Sequence, residues 1–399
     1  MRKCVVIGVT GGIAAFKACQ LVSNLKKKNY EIHVIMTKNA TEFVAPLTFE
    51  SLSGNRVSVD TFDRNFEYNV QHISLAKKAD AFVIAPATAN VIAKIVHGIA
   101  DDMLSTTFLA ASCKKIICPA MNTGMLNNPV TVENIEKCKQ LGYMIVDAES
   151  GMLACGDEGK GKLADVSIIE DAIEYSLYPK PLQGKKVLVT AGPTQEAIDP
   201  VRYITNHSSG KMGYAIAKAA RNLGADVLLI TGETNLTPCP MIQTIEIKTA
   251  KEMFDEVTRY SKDQDCIIKA AAVADYTVID PATNKIKKKD NTLTIELTKT
   301  DDILAYLGQN KKAGQILCGF AMETENLIEN AKEKCIKKNC DLLVANNLSV
   351  DGAGFKTNTN VVTIIRPNEI KELELMSKEK LAYQILKECF RGEIDVIND

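Results

Sequence analysis

The stretch Cys4-Val-Val-Ile-Gly-Val-Thr-Gly-Gly-Ile-Ala-Ala-Phe-Lys17, CVVIGVTGGIAAFK, decides the fold of the first half of the chain. It begins with a short apolar run rich in β-branched residues, and residues 14–27 continue with the spacing of an amphipathic helix. Glycines between the two allow a tight turn whose backbone N–H groups face a phosphate at the helix N-terminus. A strand, a glycine-rich turn and a helix in this order predict a βαβ unit.

The glycine-rich turn differs from the dinucleotide-binding fingerprint GxGxxG. No acidic residue ends the second predicted strand, at 31–36, where Met36-Thr-Lys-Asn39 stands instead. This argues against an NAD ribose clasp. A hydroxyl and a lysine favour the binding of a mononucleotide, through its phosphate and ribityl chain, over that of NAD. A tight strand–helix turn without any ligand remains the alternative.

The alternation of strand and helix patterns continues, with strands expected at 81–85, 115–118 and 143–146 and a helix at 166–175. Residues 176–184 contain two prolines and a terminal glycine and are interpreted as a linker. We therefore expect a first domain at 1–178, a linker at 179–185 and a second domain at 186–399. In the second domain the pattern restarts with strands at 186–190, 226–230, 266–269, 316–319, 342–345 and 361–365, and helices at 211–223, 250–261, 325–338 and 378–390. The pattern predicts an α/β protein of two doubly wound, Rossmann-like domains with mostly parallel sheets.

Composition excludes several classes of protein. A net charge of −1 gives no bulk attraction to nucleic acid or to an anionic membrane. No run of about 18 apolar residues exists, and the N-terminus leads into a strand instead of a signal peptide, so we expect a cytoplasmic protein. Twelve cysteines without a CxxC pair, beside only four histidines, predict neither a disulfide framework nor a structural zinc site.

Polar residues follow several predicted strands of the first half. Ala85-Pro-Ala-Thr-Ala-Asn90 opens a helix, and residues 98–106 offer further hydroxyls. Asn122 ends the run Pro119-Ala-Met-Asn122 at the carboxyl end of a strand, where ligands of open α/β sheets bind. His72 precedes a predicted helix, and a cap or a satisfied core histidine is the alternative to a functional role.

Residues 151–165, GMLACGDEGKGKLAD, have four glycines and five charged residues and are expected to form a mobile loop. Cys155 near its start could be a filler, a metal ligand, half of a disulfide or a reactive thiol. No partner lies at metal-ligand or CxxC spacing.

The second half contains another candidate anion site. Gly210-Lys211 is not a P-loop, because the earlier glycine is missing and Met212 replaces the Ser/Thr. Ser208, Ser209 and Gly210 instead lead into the helix at 211–223, whose N-terminus could bind an anion. Asn206 and Arg202 offer directional donors to a carboxylate or a phosphate. A plain capping loop remains the alternative.

Charged residues of the second half could surround a nucleotide. Asp275 follows the strand at 266–269, and its carboxylate could contact a base edge, a ribose or magnesium there. The lysines in Lys285-Ile-Lys-Lys-Lys289 form either a solvated hairpin face or a triphosphate contact. Lys334 and Lys338 share one helix face at i, i+4 spacing.

These runs together resemble, nearly word for word, the family of bifunctional phosphopantothenoylcysteine decarboxylase/phosphopantothenate–cysteine ligases of coenzyme A synthesis. The resemblance covers about residues 4–390. It implies a flavodoxin-like flavoprotein domain followed by a nucleotide-binding ligase domain.

For the first domain the resemblance implies a bound FMN and decarboxylation of phosphopantothenoylcysteine. Oxidation of the thiol-bearing carbon gives a thioaldehyde, which accepts the electrons as carbon dioxide leaves. His72 is implied to act near the carboxylate and flavin, Asn122 to bind the carboxylate with Met121 beside the substrate, and Cys155 to donate a proton. The implied FMN-binding residues are Gly11, Gly12, Ile13, Thr37, Ala85, Thr88, Asn90, Ser105 and Thr106.

For the second domain the resemblance implies CTP-dependent ligation. The carboxylate of 4′-phosphopantothenate attacks the α-phosphate of CTP, and the amine of cysteine then displaces CMP from the acyl cytidylate. Asn206 and Lys285 are implied to be catalytic, with Arg202 and Lys211 binding substrate. Magnesium is held mainly through the nucleotide, with Asp275 as the candidate protein ligand. The implied CTP contacts are Asp275, Lys285, Phe320, Lys334 and Lys338.

The family also implies a homo-oligomer with trimeric flavin domains and dimeric ligase domains, for which a dodecamer is the expected assembly. Two alternatives stay open: a regulatory flavin-binding protein of the same fold, and a peptidyl-cysteine decarboxylase with an unrelated appended domain. No role is assigned to His97 or His207. Residues 351–360 are either a lid over the nucleotide or a plain surface loop.

Overall fold

The apolar run at the start of the chain forms a fully buried strand, and the chain around it divides into two units. The computed structural model describes residues 2–62, 70–152, 156, 158–287, 293–323, 327–347 and 357–394. Its units are Met1–Tyr178 and Pro179–Asp399.

The first unit alternates strands and helices as its sequence pattern predicts. A single 3₁₀ turn, Lys38–Glu42, follows the second strand. The strands and helices are β1 (Cys4–Val9), α1 (Ala15–Lys27), β2 (Glu31–Met36), α2 (Pro46–Ser53), α3 (Gln71–Lys78), β3 (Ala81–Ala87), α4 (Ala89–His97), α5 (Met103–Ala110), β4 (Lys114–Pro119), α6 (Thr123–Leu126), α7 (Pro129–Gln140), β5 (Met144–Ile145), β6 (Glu149–Met152), β7 (Glu158–Lys162) and α8 (Val166–Leu177).

A five-stranded parallel sheet organises this unit, in the order β2-β1-β3-β4-β5. This is the flavodoxin-like order, whose direction of winding switches between β1 and β3. Because side chains alternate along a strand, Val5 and Ile7 pack toward α1 and α8, while Cys4 and Val6 pack toward α4 and α5. Helices therefore cover both faces of the sheet.

In the glycine-rich segment 151–165, where we expect a mobile loop, part of the chain instead belongs to two strands. Strands β6 and β7 pair there as an antiparallel hairpin. Helix α8 follows, and its N-terminus is capped by Asp165, whose carboxylate accepts a hydrogen bond of 2.9 Å from the backbone N–H of Ser167. Cys155 lies outside the described residues.

The second unit is larger and contains a mixed sheet. Its elements are β8 (Lys186–Ala191), β9 (Gln195–Ala197), β10 (Tyr203–Thr205), α9 (Lys211–Asn222), β11 (Asp226–Thr231), β12 (Gln243–Glu246), α10 (Ala250–Ser261), β13 (Cys266–Lys269), β14 (Tyr276–Val278), β15 (Leu297–Lys299), α11 (Ile303–Gln309), β16 (Ile316–Glu323), α12 (Leu327–Lys337), β17 (Leu342–Asn347), β18 (Thr359–Arg366), β19 (Glu369–Ser377) and α13 (Lys378–Cys389).

The main sheet of the second unit has the order β12-β11-β8-β13-β16-β17-β18-β19. The strands from β12 to β17 are parallel, and only β18 and β19 run antiparallel to their neighbours. The first five strands follow the Rossmann order 3-2-1-4-5, so the winding switches between β8 and β13. Two doubly wound units with mostly parallel sheets confirm the predicted fold class.

Local sequence signals set several helix boundaries. Helix α10 has the predicted bounds because Thr249 and Glu252 form a reciprocal capping box, in which Thr249 Oγ1 accepts from the Glu252 N–H at 3.1 Å. Ser377 caps α13, because its hydroxyl accepts a hydrogen bond of 3.2 Å from the Lys380 N–H. None of the helices in the described part of the chain is long and apolar enough to cross a membrane.

Substituting Thr249→Ala should weaken α10 by about 1 kcal/mol, because the N-terminal amides lose their side-chain acceptor. Hydrogen exchange of the α10 backbone amides measures this local stability. Thr258→Ala on the same helix is the matched control, since its hydroxyl only donates to the Asp255 carbonyl within the helix. Equal exchange in both variants would contradict the capping role.

Candidate active sites

The first unit has a cavity of about 520 Å³ at the carboxyl ends of β1, β3 and β4, beside the switch in winding direction. Its walls are mainly apolar, and two lysines, Lys17 and Lys162, belong to its lining. The turns after the three strands and the β6–β7 hairpin supply the lining, which is Gly11, Gly12, Ile13, Ala14, Phe16, Lys17, Pro86, Thr88, Ala120, Met121, Asn122, Met125, Met152, Gly161, Lys162 and Leu163.

Close packing and buried hydrogen bonds hold the turns of this cavity in place. A Cβ atom on Gly11 would lie 2.6 Å from the Cβ of Asn39, so only glycine allows the turn after β1 to approach the segment after β2. The Thr10 hydroxyl donates to the Pro86 carbonyl at 2.7 Å and accepts from the Thr88 N–H at 3.1 Å. The turns after β1 and β3 are thereby joined.

The β6–β7 hairpin docks against the turn after β4. The Met121 N–H donates to the Gly161 carbonyl at 3.0 Å. A Cβ on Gly161 would stand 2.2 Å from the Met121 carbonyl oxygen, and one on Gly159 would stand 2.5 Å from Thr123 Oγ1. The glycines therefore allow close approach as well as turning, and the hairpin brings Met152 and Lys162 to the cavity.

The structure brings six of the expected flavin-domain residues to this cavity: Gly11, Gly12, Ile13, Thr88, Met121 and Asn122. The Asn122 side chain also caps α6, accepting from the Gly124 N–H at 2.8 Å. The catalytic candidate Cys155 lies outside the described residues.

Other expected residues do not line the cavity of this unit. His72 lies half-buried in the first turn of α3, and Asn90 is exposed in the first turn of α4. Thr37 caps the 3₁₀ turn, and Ala85 is buried within β3. The Ser105 hydroxyl belongs to the capping box of α5, and the Thr106 hydroxyl donates to the Ala100 carbonyl at 3.3 Å.

The second unit has two adjoining cavities at the carboxyl ends of its parallel strands. The one we call the α9 cavity has a volume of about 310 Å³. Its lining includes Asn206, residues 208–213, the 269–273 segment, Asn346, Asn360 and Lys378. The other, the α12 cavity, about 340 Å³, is formed by residues 273–276 and 299–304 with Lys338. Five residues line both cavities, namely Lys269, Val273, Asp275, Phe320 and Lys334.

The N-terminus of α9 faces the first of these cavities without a side-chain cap. Gly210 is the N-cap residue at φ +75°, and as a glycine it supplies no side-chain cap. Gly213 brings the helix close to β8, since a Cβ there would lie 2.6 Å from the Ala191 Cβ. Uncapped amides at a helix N-terminus favour an anion.

Asn206 and Lys211 lie in the α9 cavity as expected. The Asn206 side-chain amide donates to the Ala272 carbonyl at 3.1 Å, which ties the segment before α9 to the one after β13. Lys211 donates to the Asn358 side chain at 2.9 Å.

Arg202 and Lys285 line neither cavity of this unit, but one buried carboxylate connects them. The Asp199 carboxylate accepts from the Arg202 guanidinium Nε at 3.0 Å and from the Ile286 N–H at 3.1 Å. Arg202 also donates to the Ile286 carbonyl at 3.1 Å. Hydrogen bonds from Arg202 hold the pKa of Asp199 well below its usual range. This cluster therefore anchors the segment that carries the exposed Lys285.

Charges in the α12 cavity are partly neutralised. Lys338 forms an ion pair with Asp302, whose carboxylate also caps α11. Burial opposes ionisation of Asp302, but the hydrogen bonds from Lys338 and from the Ala305 N–H outweigh it and lower its pKa. Asp275 is exposed beside the cavity, and Phe320 and Lys334 are half-buried there.

Three lysines that line the cavities of the second unit, Lys269, Lys299 and Lys378, are absent from the sequence-based list. Lys269 ends β13 inside the apolar run Cys266-Ile-Ile-Lys-Ala-Ala, and a charge in such a run could have marked it. Lys378 is only 6% exposed at the start of α13, and burial followed by repulsion from Lys211 lowers its pKa to about 8. Nothing local distinguishes Lys378 from an ordinary residue in the first turn of a helix.

Comparison with known proteins covers nearly the entire chain. Residues 1–177 match the Flavoprotein family, and residues 182–391 match the DNA/pantothenate metabolism flavoprotein C-terminal domain. The coenzyme A biosynthesis bifunctional protein CoaBC of Bacillus subtilis is 46% identical over 96% of this chain and 96% of its own length. The chain belongs to the CoaBC family.

The Escherichia coli CoaBC protein is 40% identical over 97% of this chain and 96% of its own length. Among solved structures, the C-terminal domain of a CoaBC protein is 44% identical and covers 52% of this chain and 95% of that domain, with a TM-score of 0.45. CoaBC-family membership confirms the predicted resemblance and makes the chain a bifunctional enzyme of coenzyme A biosynthesis. The match to the Flavoprotein family agrees with the flavin expected for the first unit.

Substituting Asp199→Asn should release the segment that carries Lys285, because the amide side chain cannot hold the Arg202 guanidinium and the Ile286 N–H as strongly. We expect exchange of the Ile286 amide to rise roughly tenfold, the usual scale for a lost charged hydrogen bond. In the parent protein, protection of this amide should persist as pH falls through 4. A carboxyl group whose pKa is lower in the folded than in the unfolded protein stabilises the fold at any pH above the unfolded pKa. This stabilisation is lost only as the pH falls through the pKa of the folded state.

Asp280→Asn is the control for this experiment, because Asp280 is an exposed carboxylate on the same segment. Hydrogen exchange measured by mass spectrometry at neutral and acidic pH compares the two variants. Equal exchange of Ile286 in both would show that Asp199 does not anchor the segment.

Proposed function

We propose that the chain catalyses two consecutive steps of coenzyme A biosynthesis. Its second unit joins 4′-phosphopantothenate to cysteine with CTP, and its first unit decarboxylates the resulting phosphopantothenoylcysteine to 4′-phosphopantetheine with FMN. The observation that carries the proposal is family membership along both units, each with cavities at the point where its sheet changes winding direction.

The cavity of the first unit fits a flavin. Its walls are mainly apolar, and its volume of about 520 Å³ lies in the range of cofactor pockets. In the flavodoxin-like strand order, FMN binds at the switch between β1 and β3. Gly11 and Gly12 permit close approach of backbone amides, and Thr88 offers a hydroxyl. When bound, the flavin supplies reversible two-electron oxidation of the substrate.

The residues of the first unit bind the substrate and move its proton. Asn122 is exposed in the cavity and holds the substrate carboxylate through its side-chain amide, with Met121 beside it. Cys155 donates the proton to carbon after carbon dioxide leaves, because a thiol of pKa about 8.5 is largely protonated at neutral pH. Lys162, the last residue of β7, offers a cation to the substrate phosphate. His72 acts near the carboxylate, although it does not line the cavity of a single unit.

The second unit activates a carboxylate. The 4′-phosphopantothenate carboxylate bonds to the α-phosphorus of CTP, and pyrophosphate leaves with the electrons of the broken P–O bond. Cysteine nitrogen then bonds to the acyl carbon, CMP leaves and the nitrogen loses a proton. Lys285 stabilises charge in the first step, and Asn206, held beside Ala272, orients the acyl group in the second.

Nucleotide binding uses the charged residues around the α12 cavity. Asp275, Phe320, Lys334 and Lys338 contact CTP, and Lys211 contacts substrate at the start of α9. Magnesium reaches the site mainly on the triphosphate, with Asp275 as its candidate protein ligand. We further propose a homo-oligomer of trimeric flavin units and dimeric ligase units, in which Arg202, His72 and other residues distant from the cavities of one chain complete the sites.

Substituting Lys285→Gln should lower pyrophosphate release roughly 100-fold, the usual scale for losing one charge-stabilising group. Decarboxylation of supplied phosphopantothenoylcysteine should be unchanged, because that reaction belongs to the other unit. Purified protein with 4′-phosphopantothenate, cysteine, CTP and magnesium provides the assay, and exposed Lys262→Gln is the control. Parent protein that yields neither pyrophosphate nor 4′-phosphopantetheine would refute the proposed function, and loss of both activities in Lys285→Gln would refute separate sites.

Substituting Cys155→Ser should stop turnover after decarboxylation, because the hydroxyl of serine is too weak an acid to protonate the carbon. An unsaturated thiol product, lighter than 4′-phosphopantetheine by one pair of hydrogens, should accumulate and be detected by mass spectrometry. Cys19→Ser, at a half-buried helix position away from the cavity lining, controls for the loss of a thiol. Normal turnover of Cys155→Ser would remove Cys155 from the mechanism.

A further inference from the structure

Lys269 occupies the centre of the second unit's site, yet none of the assigned nucleotide or substrate contacts includes it. It ends β13, the strand beside the switch in winding direction, where ligands of open parallel sheets bind. Lys269 and Lys334 are the two lysines that line both the α9 cavity and the α12 cavity. A group that spans both cavities must therefore pass these two lysines.

The strand periodicity sets the direction of the Lys269 side chain. Cys266 and Ile268 pack on the face covered by α9 and α13, whereas Ile267 packs on the face covered by α10, α11 and α12. Lys269 follows Ile267 by two positions and so lies on the α12 face. Its ammonium is thereby directed to the same side as Lys334.

The Lys269 ammonium has no hydrogen bond or ion pair within the described part of the chain. The nearby Asp302 carboxylate is engaged by Lys338 and by the Ala305 N–H, and Asp275 contributes only a longer-range attraction. Burial lowers the pKa of Lys269. A half-buried cation without a partner costs stability, and such a cost is characteristic of a functional site.

We propose that Lys269 binds the pyrophosphate portion of the nucleoside triphosphate, at the junction of the two cavities and opposite Lys334. This deepens the proposed ligase function and rests on it. When the substrate carboxylate bonds to the α-phosphorus, the P–O bond to the β-phosphate breaks and its electron pair leaves with pyrophosphate. Lys269 stabilises the negative charge that grows on that oxygen, as a point charge in a partly dehydrated site.

The test measures binding of CTP, CMP and inorganic pyrophosphate by calorimetry on the full-length protein. Lys269→Met should weaken the binding of CTP and of pyrophosphate roughly tenfold, which is the usual scale for a lost charged hydrogen bond. The affinity for CMP should be unchanged. Lys269→Arg should retain most of the pyrophosphate affinity. Lys186→Met is the matched control, because Lys186 is an exposed lysine at the amino end of the neighbouring strand β8, whereas Lys269 ends β13 at its carboxyl end.

Thermal unfolding separates this role from a structural one. Removing a half-buried, unpartnered ammonium should leave the midpoint of Lys269→Met unchanged or raise it, while pyrophosphate affinity falls. The assignment would be overturned if Lys269→Met bound pyrophosphate with unchanged affinity, or if its affinities for CTP and CMP fell equally. It would also be overturned if the midpoint of thermal unfolding fell and binding of all three ligands was lost. Pyrophosphate release by the parent protein is measured in a separate assay. Absence of release would refute the ligase function itself, whereas the binding measurements test only the role of Lys269.

Discussion

The parallel hydrogen-bond ladder between the two strands at the switch in winding direction is the constraint on which both sites depend. In the first unit this ladder joins β1 to β3, and in the second it joins β8 to β13. Because parallel strands end at the same edge, the segments that follow them are forced together. The turn hydrogen bonds of Thr10 and the contact of Asn206 with Ala272 are consequences of that shared edge.

Glycines convert this arrangement of strands into usable cavities. Gly11 allows one turn to lie against another, Gly161 allows the hairpin to touch the turn after β4, and Gly213 allows α9 to approach β8. A methyl group at any of these positions would meet a neighbouring atom within 2.2–2.6 Å. The same residue type that permits tight turns therefore sets how closely backbone amides approach a ligand.

Sequence patterns predicted the parts of the molecule that local physics determines. The buried run Cys4–Val9 and helix α10, with its capping box, lie where their patterns place them. The β6–β7 hairpin could not be read from its glycine-rich sequence, because its strands are stabilised by docking against Met121, which is distant along the chain. For the same reason, the contacts of Arg202 with Asp199 and Ile286 could not be predicted, because these residues meet only in the folded chain.

The balance of charge in the second unit follows from the ligand that it binds in the proposed reaction. The α9 cavity is lined by four lysines, Lys211, Lys269, Lys334 and Lys378. Among the described residues, its lining contains one carboxylate, that of Asp275. Repulsion between Lys211 and Lys378 contributes to the lowered pKa of Lys378, so these cations are held together at a cost to the folded state. A triphosphate and a phosphate monoester together bring enough negative charge to reverse that cost. In the proposed reaction, binding of these anionic substrates would therefore stabilise the folded protein.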